Sequence, residues 1–283
     1  MSPDRYAVLG NPVTHSRSPF IHAAFARQTG QAIDYGRVTC PLDGFAAAVR
    51  AFAAGGNGRA RGCNVTVPFK FEALRLAARS SERAALAGAA NTLRFDVDGW
   101  FADNTDGVGL VRDIEHNAGV PLAGRRVLLV GAGGAGAGVL GPLLAARPAA
   151  VVVANRTPAK ARSLAERHAD WARAHGVPLA ASGLERPGEA FDVLLNASAS
   201  SLQGEASPVP AAALAPGALA VDLMYGAAAA PFLAWARGAG ATPRDGLGML
   251  VEQAAESFFV WRGVRPLTAP VLQALRDSLE GPA

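Results

Sequence analysis

Apolar residues along this chain gather in short runs separated by stretches of helix length. In the first hundred residues, Tyr6–Leu9, Asp34–Val38 and Cys63–Val67 read as strands. Pro19–Thr29 and Phe45–Ala54 read as helices, the first with Ser18 as N-cap and Pro19 at its opening position. Pro68–Ala78 reads as a helix started by its proline, and Thr92–Asp96 and Gly99–Ala102 as a hairpin around Val97-Asp98. A helix over Gly107–Asn117 then leads to a connection at 118–124 that contains Gly and Pro. Beyond it the pattern predicts strand 126–130, helix 135–146, strand 150–154 and helix 158–175. Phe191–Asn196 and Ala218–Leu223 are further buried strands, and Leu247–Arg262 and Pro270–Leu279 are helices. Apolar strands alternating with helices of this length call for a parallel sheet covered on both faces.

The pattern fits two α/β domains, and 283 residues leave room for two. Half the residues are hydrophobic and 18% are charged, so each domain can bury a core. The net charge of +4 is spread out, with no basic run, and gives no argument for nucleic acid. No apolar stretch is long enough for a membrane span, and the N-terminus has no apolar region of signal-peptide length. Cys40 and Cys63 form no C-x-x-C and read as small buried thiols. A cytoplasmic protein is expected.

Two segments suggest a cofactor. Arg126–Val130 runs into Gly131-x-Gly133-x-x-Gly136, a glycine fingerprint between a strand and a helix. Gly131 allows the tight turn, Gly133 lets backbone approach a pyrophosphate, and Gly136 lets helix and strand pack closely. The phosphates of a dinucleotide then meet free N–H groups at a helix N-terminus. The next apolar strand ends on Asn155-Arg156, where an acid would bind a ribose 2′-hydroxyl. Arg156 would instead attract a 2′-phosphate. Thr157-Pro158 opens the following helix and puts Lys160 in its first turn, against the helix dipole. Two cations beside a positive helix end suit an anion, and this favours NADP over NAD.

Polar clusters supply candidate chemistry in the first domain: Ser16-Arg17-Ser18-Pro19, Asn64-Val65-Thr66-Val67-Pro68-Phe69-Lys70 and Asp103-Asn104-Thr105-Asp106-Gly107. Taken singly, Ser18, Thr66 and Asp106 read equally well as helix caps, and Asn91-Thr92 as a turn. Lys70 is harder to dismiss. It stands in a first helical turn, and a lysine tuned toward neutrality can give and take a proton. Asp106 can orient it and balance its charge. Hydroxyls and amides around such a pair suit a polyhydroxylated ligand.

With G-N-P-x-x-H-S-R-S-P, N-V-T-V-P-F-K, A-x-N-T, D-N-T-D-G, G-A-G-G-A, N-R-T and D-G-L-G-M-L-V-x-Q-A in this order, the chain resembles the shikimate dehydrogenase family. The resemblance implies NADP-linked interconversion of 3-dehydroshikimate and shikimate in aromatic amino-acid biosynthesis. It implies that Lys70 and Asp106 form the catalytic pair. Ser16, Ser18, Asn64, Thr66, Asn91 and Gln253 would hold the substrate's hydroxyls and carboxylate, with Tyr225 completing the pocket. Expected cofactor contacts are Gly131, Ala132, Gly133, Gly134, Ala135, Asn155, Arg156, Thr157, Lys160, Leu223 and Gly246. His15 and His22 read as structural or orienting. No metal is expected, and the protein would be a monomer or homodimer. The implied fold has a substrate-binding domain over 1–107, completed by returning helices at 246–283. A Rossmann-type NADP domain covers 108–245, with a cleft between the domains.

Two readings stay open beside this one: a quinate/shikimate dehydrogenase using NAD, and a non-catalytic binding or regulatory protein of the same fold. The chain also departs from the family at two places. Gly136-Ala137-Gly138 stands where many relatives carry a polar pair, which puts one phosphate contact in doubt. Asn196-Ala197-Ser198-Ala199-Ser200-Ser201-Leu202 differs from the commoner N-A-T-S-x-G.

Overall fold

A computed structural model describes residues 2–56, 58–201, 204 and 207–280. Leu202, the last residue of the departing segment Asn196–Leu202, lies outside these. The chain divides into two units, Met1–Gly109 with Val251–Ala283, and Leu110–Leu250. Among the described residues no helix is long and apolar enough to cross a membrane, and no cluster of three or more metal-ligating side chains occurs.

The first unit holds six strands: β1 (Asp4–Gly10), β2 (Ile33–Thr39), β3 (Ala60–Val65), β4 (Arg79–Ser80), β5 (Thr92–Arg94) and β6 (Phe101–Asp103). The helices among these strands are α1 (Ser18–Thr29), α2 (Phe45–Ala54), α3 (Lys70–Leu76) and α4 (Glu82–Ala87). The sheet order is β2-β1-β3-β5-β6-β4. β1 pairs parallel with β2 and β3, whereas β5 pairs antiparallel with β3 and with β6, as the expected hairpin requires. Alternation along β1 sorts its side chains. Ala7 and Leu9 join Phe45, Val49 and Phe69 in one core, and Tyr6 and Val8 join Val13, Tyr35 and Trp261 in another.

Several boundaries differ from the sequence reading. α1 begins at Ser18 itself, and the hydroxyl of Ser16, not Ser18, accepts the Ser18 amide at 3.3 Å. β3 starts earlier, at Ala60, and stops at Val65. α3 does not start at Pro68, because Phe69 N–H donates to the Thr66 carbonyl and closes a turn there. The Thr66 side chain therefore caps nothing. The helix ends at Leu76, since Ala78 and Arg79 turn their amides to the Trp100 carbonyl.

α5 (Asp106–Arg112) carries the chain toward the second unit and passes into a π-helical turn, Asp113–Asn117, in place of the expected continuous helix. Asp106 is the first residue of α5, not its cap; Asn104 Oδ1 accepts the Asp106 amide at 3.2 Å. The carboxylate of Asp113 is buried and takes Arg244 bidentately at 2.6 and 2.7 Å, with Asn117 donating at 2.9 Å. Such turns mark places where a side-chain contact outbids the regular ladder.

The second unit contains β7 (Arg126–Val130), β8 (Ala150–Ala154), β9 (Leu179–Ser182), β10 (Phe191–Asn196), β11 (Leu214–Asp222) and β12 (Thr242–Arg244). Every pair is parallel, in the order β12-β11-β10-β7-β8-β9. Counted from β7, this is the doubly wound order 3-2-1-4-5-6 of dinucleotide-binding folds. Both faces are covered: Val127 and Leu129 pack with Val139, Leu140 and Leu143 of α6 (Gly134–Ala145), and Leu128 and Val130 with Phe232 and Ala236. The predicted helix 158–175 is two helices, α7 (Pro158–Arg167) and α8 (Ala169–Ala174). They break at buried His168, whose Nδ1 bonds the Leu164 carbonyl at 2.9 Å. The sequence pattern shows neither β9 nor β12, and of α9 (Ala230–Gly238) only a loop-to-helix entry over Ala227–Ala230. α10 (Leu247–Arg262) and α11 (Ala269–Glu280) complete the chain.

Candidate active site

In the first unit, Lys70 opens α3 and Asp106 opens α5, and Lys70 Nζ lies 2.5 Å from Asp106 Oδ2. The pair is largely buried, with side-chain exposures of 15% and 7%, so water does little to screen the attraction. The other oxygen, Asp106 Oδ1, accepts Asn91 Nδ2 at 2.8 Å. The same carboxamide reaches Thr105 Oγ1 at 2.9 Å and Gln253 Oε1 at 3.2 Å. Its orientation is fixed by the backbone: Thr105 N–H can only donate, and it donates to Asn91 Oδ1 at 2.9 Å. Gln253 is presented by α10, and Gly109 allows this. A Cβ at 109 would stand 2.6 Å from the Gln253 backbone nitrogen, so α5 packs against α10 only with glycine there.

Asn64, at the end of β3, is buried beside this cluster. Its Oδ1 accepts the Tyr35 hydroxyl at 2.7 Å, and its Nδ2 faces the Asn91 carbonyl, Thr92 Oγ1 and Ser257 Oγ at 3.0–3.2 Å. Burial pushes the Tyr35 phenol well above the usual tyrosine range, so it stays a donor. His22 stacks on Tyr35 with ring centroids 4.2 Å apart and lies beside the Asn64 side chain. Burial drives its pKa down to about 3, so the ring is neutral and acts as packing. His15 is exposed.

The structure thus brings Lys70, Asp106, Asn91, Asn64 and Gln253 into one bonded cluster. Ser16 and Ser18 bond each other at 3.2 Å at the start of α1, and half-buried Thr66 follows β3. Half-buried Tyr225 stands after β11 in the second unit. Tyr35, Thr105 and Ser257 were not assigned from the sequence. Thr105 sat in plain view inside D-N-T-D-G, and Ser257 showed only as the polar i+4 neighbour of Gln253; Tyr35 carries no local signal.

In the second unit, Gly131 has φ +109° and its amide donates to the Ala154 carbonyl at 2.8 Å. A Cβ on Gly136 would lie 2.1 Å from the Gly131 carbonyl oxygen, so this turn and α6 meet only through glycine. A Cβ on Gly133 would meet nothing within 4 Å, which leaves open ground over the turn. No side chain caps α6, whose first residues are Gly134 and Ala135. Asn155 spans the two strand ends: its Oδ1 accepts the Ala132 amide at 3.2 Å and its Nδ2 donates to the Thr157 carbonyl at 3.0 Å. Thr157 holds the N-cap position of α7, but its side chain makes no capping bond. Arg156, Thr157 and Lys160 are exposed, and among the described residues neither cation has an ion-pair partner.

The departure at Gly136-Ala137-Gly138 falls on the buried side of α6, and position 136 has no room for any side chain on this backbone. In the second departing loop, Asn196 Oδ1 accepts Ser198 Oγ at 2.6 Å and Ser201 bonds Asp222. Burial raises the Asp222 pKa, the Ser201 bond opposing it. Leu223 follows, and its carbonyl would stand 2.3 Å from a Cβ at Gly246.

Comparison with known proteins matches residues 8–93 to the shikimate dehydrogenase substrate binding domain, 114–203 to shikimate / quinate 5-dehydrogenase and 246–276 to the shikimate 5'-dehydrogenase C-terminal domain. The NADP(+) shikimate dehydrogenase of Methylibium petroleiphilum is 65% identical over 281 residues, covering 98% of this chain and 96% of that protein. The corresponding protein of an Acidovorax species is 62% identical, covering 98% and 97%. Among solved structures, an Ael1 enzyme from Pseudomonas putida is 48% identical with a TM-score of 0.86, covering 96% of this chain and 98% of that one. Shikimate 5-dehydrogenase from Thermus thermophilus in complex with shikimate is 34% identical with a TM-score of 0.83, covering 98% and 100%. This chain belongs to the shikimate dehydrogenase family.

Proposed function

We propose that this protein catalyses the reversible NADPH-dependent reduction of 3-dehydroshikimate to shikimate, with Lys70 and Asp106 as its proton-handling pair. The observation that supports this reading is the 2.5 Å ion pair set among buried amides and hydroxyls. Bound NADPH supplies the hydride. The carbonyl oxygen it reduces needs a proton as its charge develops, and the Lys70/Asp106 pair delivers it; in the reverse direction the pair takes the hydroxyl proton. Asp106 orients the ammonium through Oδ2 while Asn91 holds Oδ1, so the carboxylate cannot swing away. Ser16, Ser18, Asn64, Thr66, Asn91 and Gln253 bind the ligand's hydroxyls and carboxylate. A ring lacking one of those hydroxyls leaves a buried partner unpaired and binds more weakly.

The second unit fits the cofactor. The open ground over Gly133 and the uncapped start of α6 receive the pyrophosphate. Arg156 and Lys160, exposed and unpaired among the described residues, hold the 2′-phosphate. The protein works in the cytoplasm as a monomer or homodimer; its two buried thiols are free, as suits a reducing compartment.

Steady-state assays of shikimate and quinate with NADP and with NAD test the reading. Turnover of shikimate with NADP is expected to exceed the other three combinations. Preferred turnover of quinate with NAD supports the first alternative, and no turnover of any pair supports the second.

A further inference from the structure

Ser257 lies one turn beyond Gln253 on α10 and is fully buried. A serine that bonds the carbonyl four residues back is common in helices, and Ser257 Oγ does reach the Gln253 carbonyl at 3.1 Å. Here it also meets Asn64 Nδ2 at 3.0 Å, Thr92 Oγ1 at 2.8 Å and Thr105 Oγ1 at 3.1 Å. These partners come from β3, β5 and the segment leading into α5, so one hydroxyl joins three separate stretches of the site.

An NH2 group only donates, so Ser257 Oγ accepts from Asn64 Nδ2 wherever its own single hydrogen points. The Asn91 carbonyl and Thr92 Oγ1 lie 3.2 Å from the same nitrogen. Both Asn64 protons therefore meet protein acceptors. Its Oδ1, which already accepts from Tyr35, has one lone pair left.

We propose that Ser257 is a positioning residue that, opposite Tyr35, pins the Asn64 carboxamide so that Asn64 offers a ligand only an acceptor. The ligand hydroxyl it meets must then donate. This rests on the reading of Asn64 as a substrate contact given above. Ser257 itself touches no reacting atom. Its removal should act on substrate binding and leave the Lys70/Asp106 proton transfer and the cofactor site alone.

The test is a double-mutant cycle between Ser257→Ala and Asn64→Ala, read by calorimetry as the shikimate dissociation constant, with NADP affinity and the thermal midpoint measured on every variant. Ser257→Cys is the second variant: it keeps the volume but bonds weakly, and it serves if the alanine form fails to fold. Ser257→Ala is expected to weaken shikimate about 3- to 10-fold, the worth of one neutral hydrogen bond, with NADP affinity unchanged. In the Asn64→Ala background the same change is expected to add nothing, because its effect passes through Asn64. An equal loss in both backgrounds overturns the proposal. So does a fall in thermal midpoint with unchanged shikimate affinity. If Asn64→Ala weakens shikimate and Ser257→Ala does not, the positioning role fails and the site reading stands. If Asn64→Ala itself has no effect, both fail together.

Discussion

In the first unit the groups around Lys70 and Asp106 are buried side chains already bonded to one another. In the second, the groups around the glycine turn are backbone amides and exposed cations, and the cations have no protein partner among the described residues. Under the proposed function the contrast follows from what each would hold. A polyol is recognised by the direction of each hydroxyl, and direction is fixed only when donors and acceptors are locked before the ligand arrives. A phosphate is recognised by charge and by amides at a helix start, and a mobile arginine loses little by waiting in water.

The contrast can be broken at its strongest point first. Lys70→Ala is expected to cost about a thousandfold in kcat, the scale of a lost acid–base group, with NADP binding intact. A variant with undiminished turnover would remove Lys70 from the mechanism. On the other side, Arg156→Asp should raise the KM for NADP about a hundredfold and barely move that for NAD, since it replaces an attraction by a repulsion. An equal effect on both cofactors would deny Arg156 the 2′-phosphate.

The glycine turn gives a finer test. Gly136→Ala forces a Cβ to 2.1 Å from the Gly131 carbonyl and should destabilise the fold by about 1–3 kcal/mol in denaturant melts. Gly133→Ala meets no protein atom and should leave the melt unchanged while weakening NADP. If both alanines behaved alike, the two glycines would not have separate roles. The smallest effect concerns His22. Its folded pKa of about 3 lies below the ordinary histidine value, so the unfolded chain binds the extra proton and stability falls as the pH drops below about 6.5. The loss should be about 1 kcal/mol by pH 6 and should be absent in His22→Phe. A steeper slope in the phenylalanine variant would assign the effect elsewhere.

The two regions were unequally legible in the sequence. The cofactor site is local: strand, glycine turn, helix and the end of the next strand lie within 35 residues, and spacing alone reports them. Doubly wound order follows from apolar strands alternating with helices. The substrate side is assembled from distant segments. Asn64 and Ser257 are 193 residues apart, and Asn91 and Gln253 are 162 apart. Lys70 and Asp106 stood out by their chemistry, but only resemblance singled out Gln253; its i+4 neighbour Ser257 showed only as polar, and nothing local marked Tyr35. Helix ends were misread for a related reason. Proline suits a helix start, so the sequence predicts one at Pro68, yet the turn closed by Thr66 and Phe69 pushes the helix to Lys70.

The second unit is one unbroken length of chain, Leu110–Leu250, whereas the first is interrupted and needs Val251 onward. During synthesis the ribosome therefore releases every strand of the second sheet before it releases Gln253 and Ser257. Domains fold as units once their chain is available. The order of birth is then inverted: the segment made first waits longest, with Asn64 lacking Ser257 and Asn91 lacking Gln253 until α10 emerges. A nascent chain extended until β12 is clear of the ribosome, with α10 still inside it, should already protect β7–β12 from proteolysis, while the polar interior of the first unit remains unfinished.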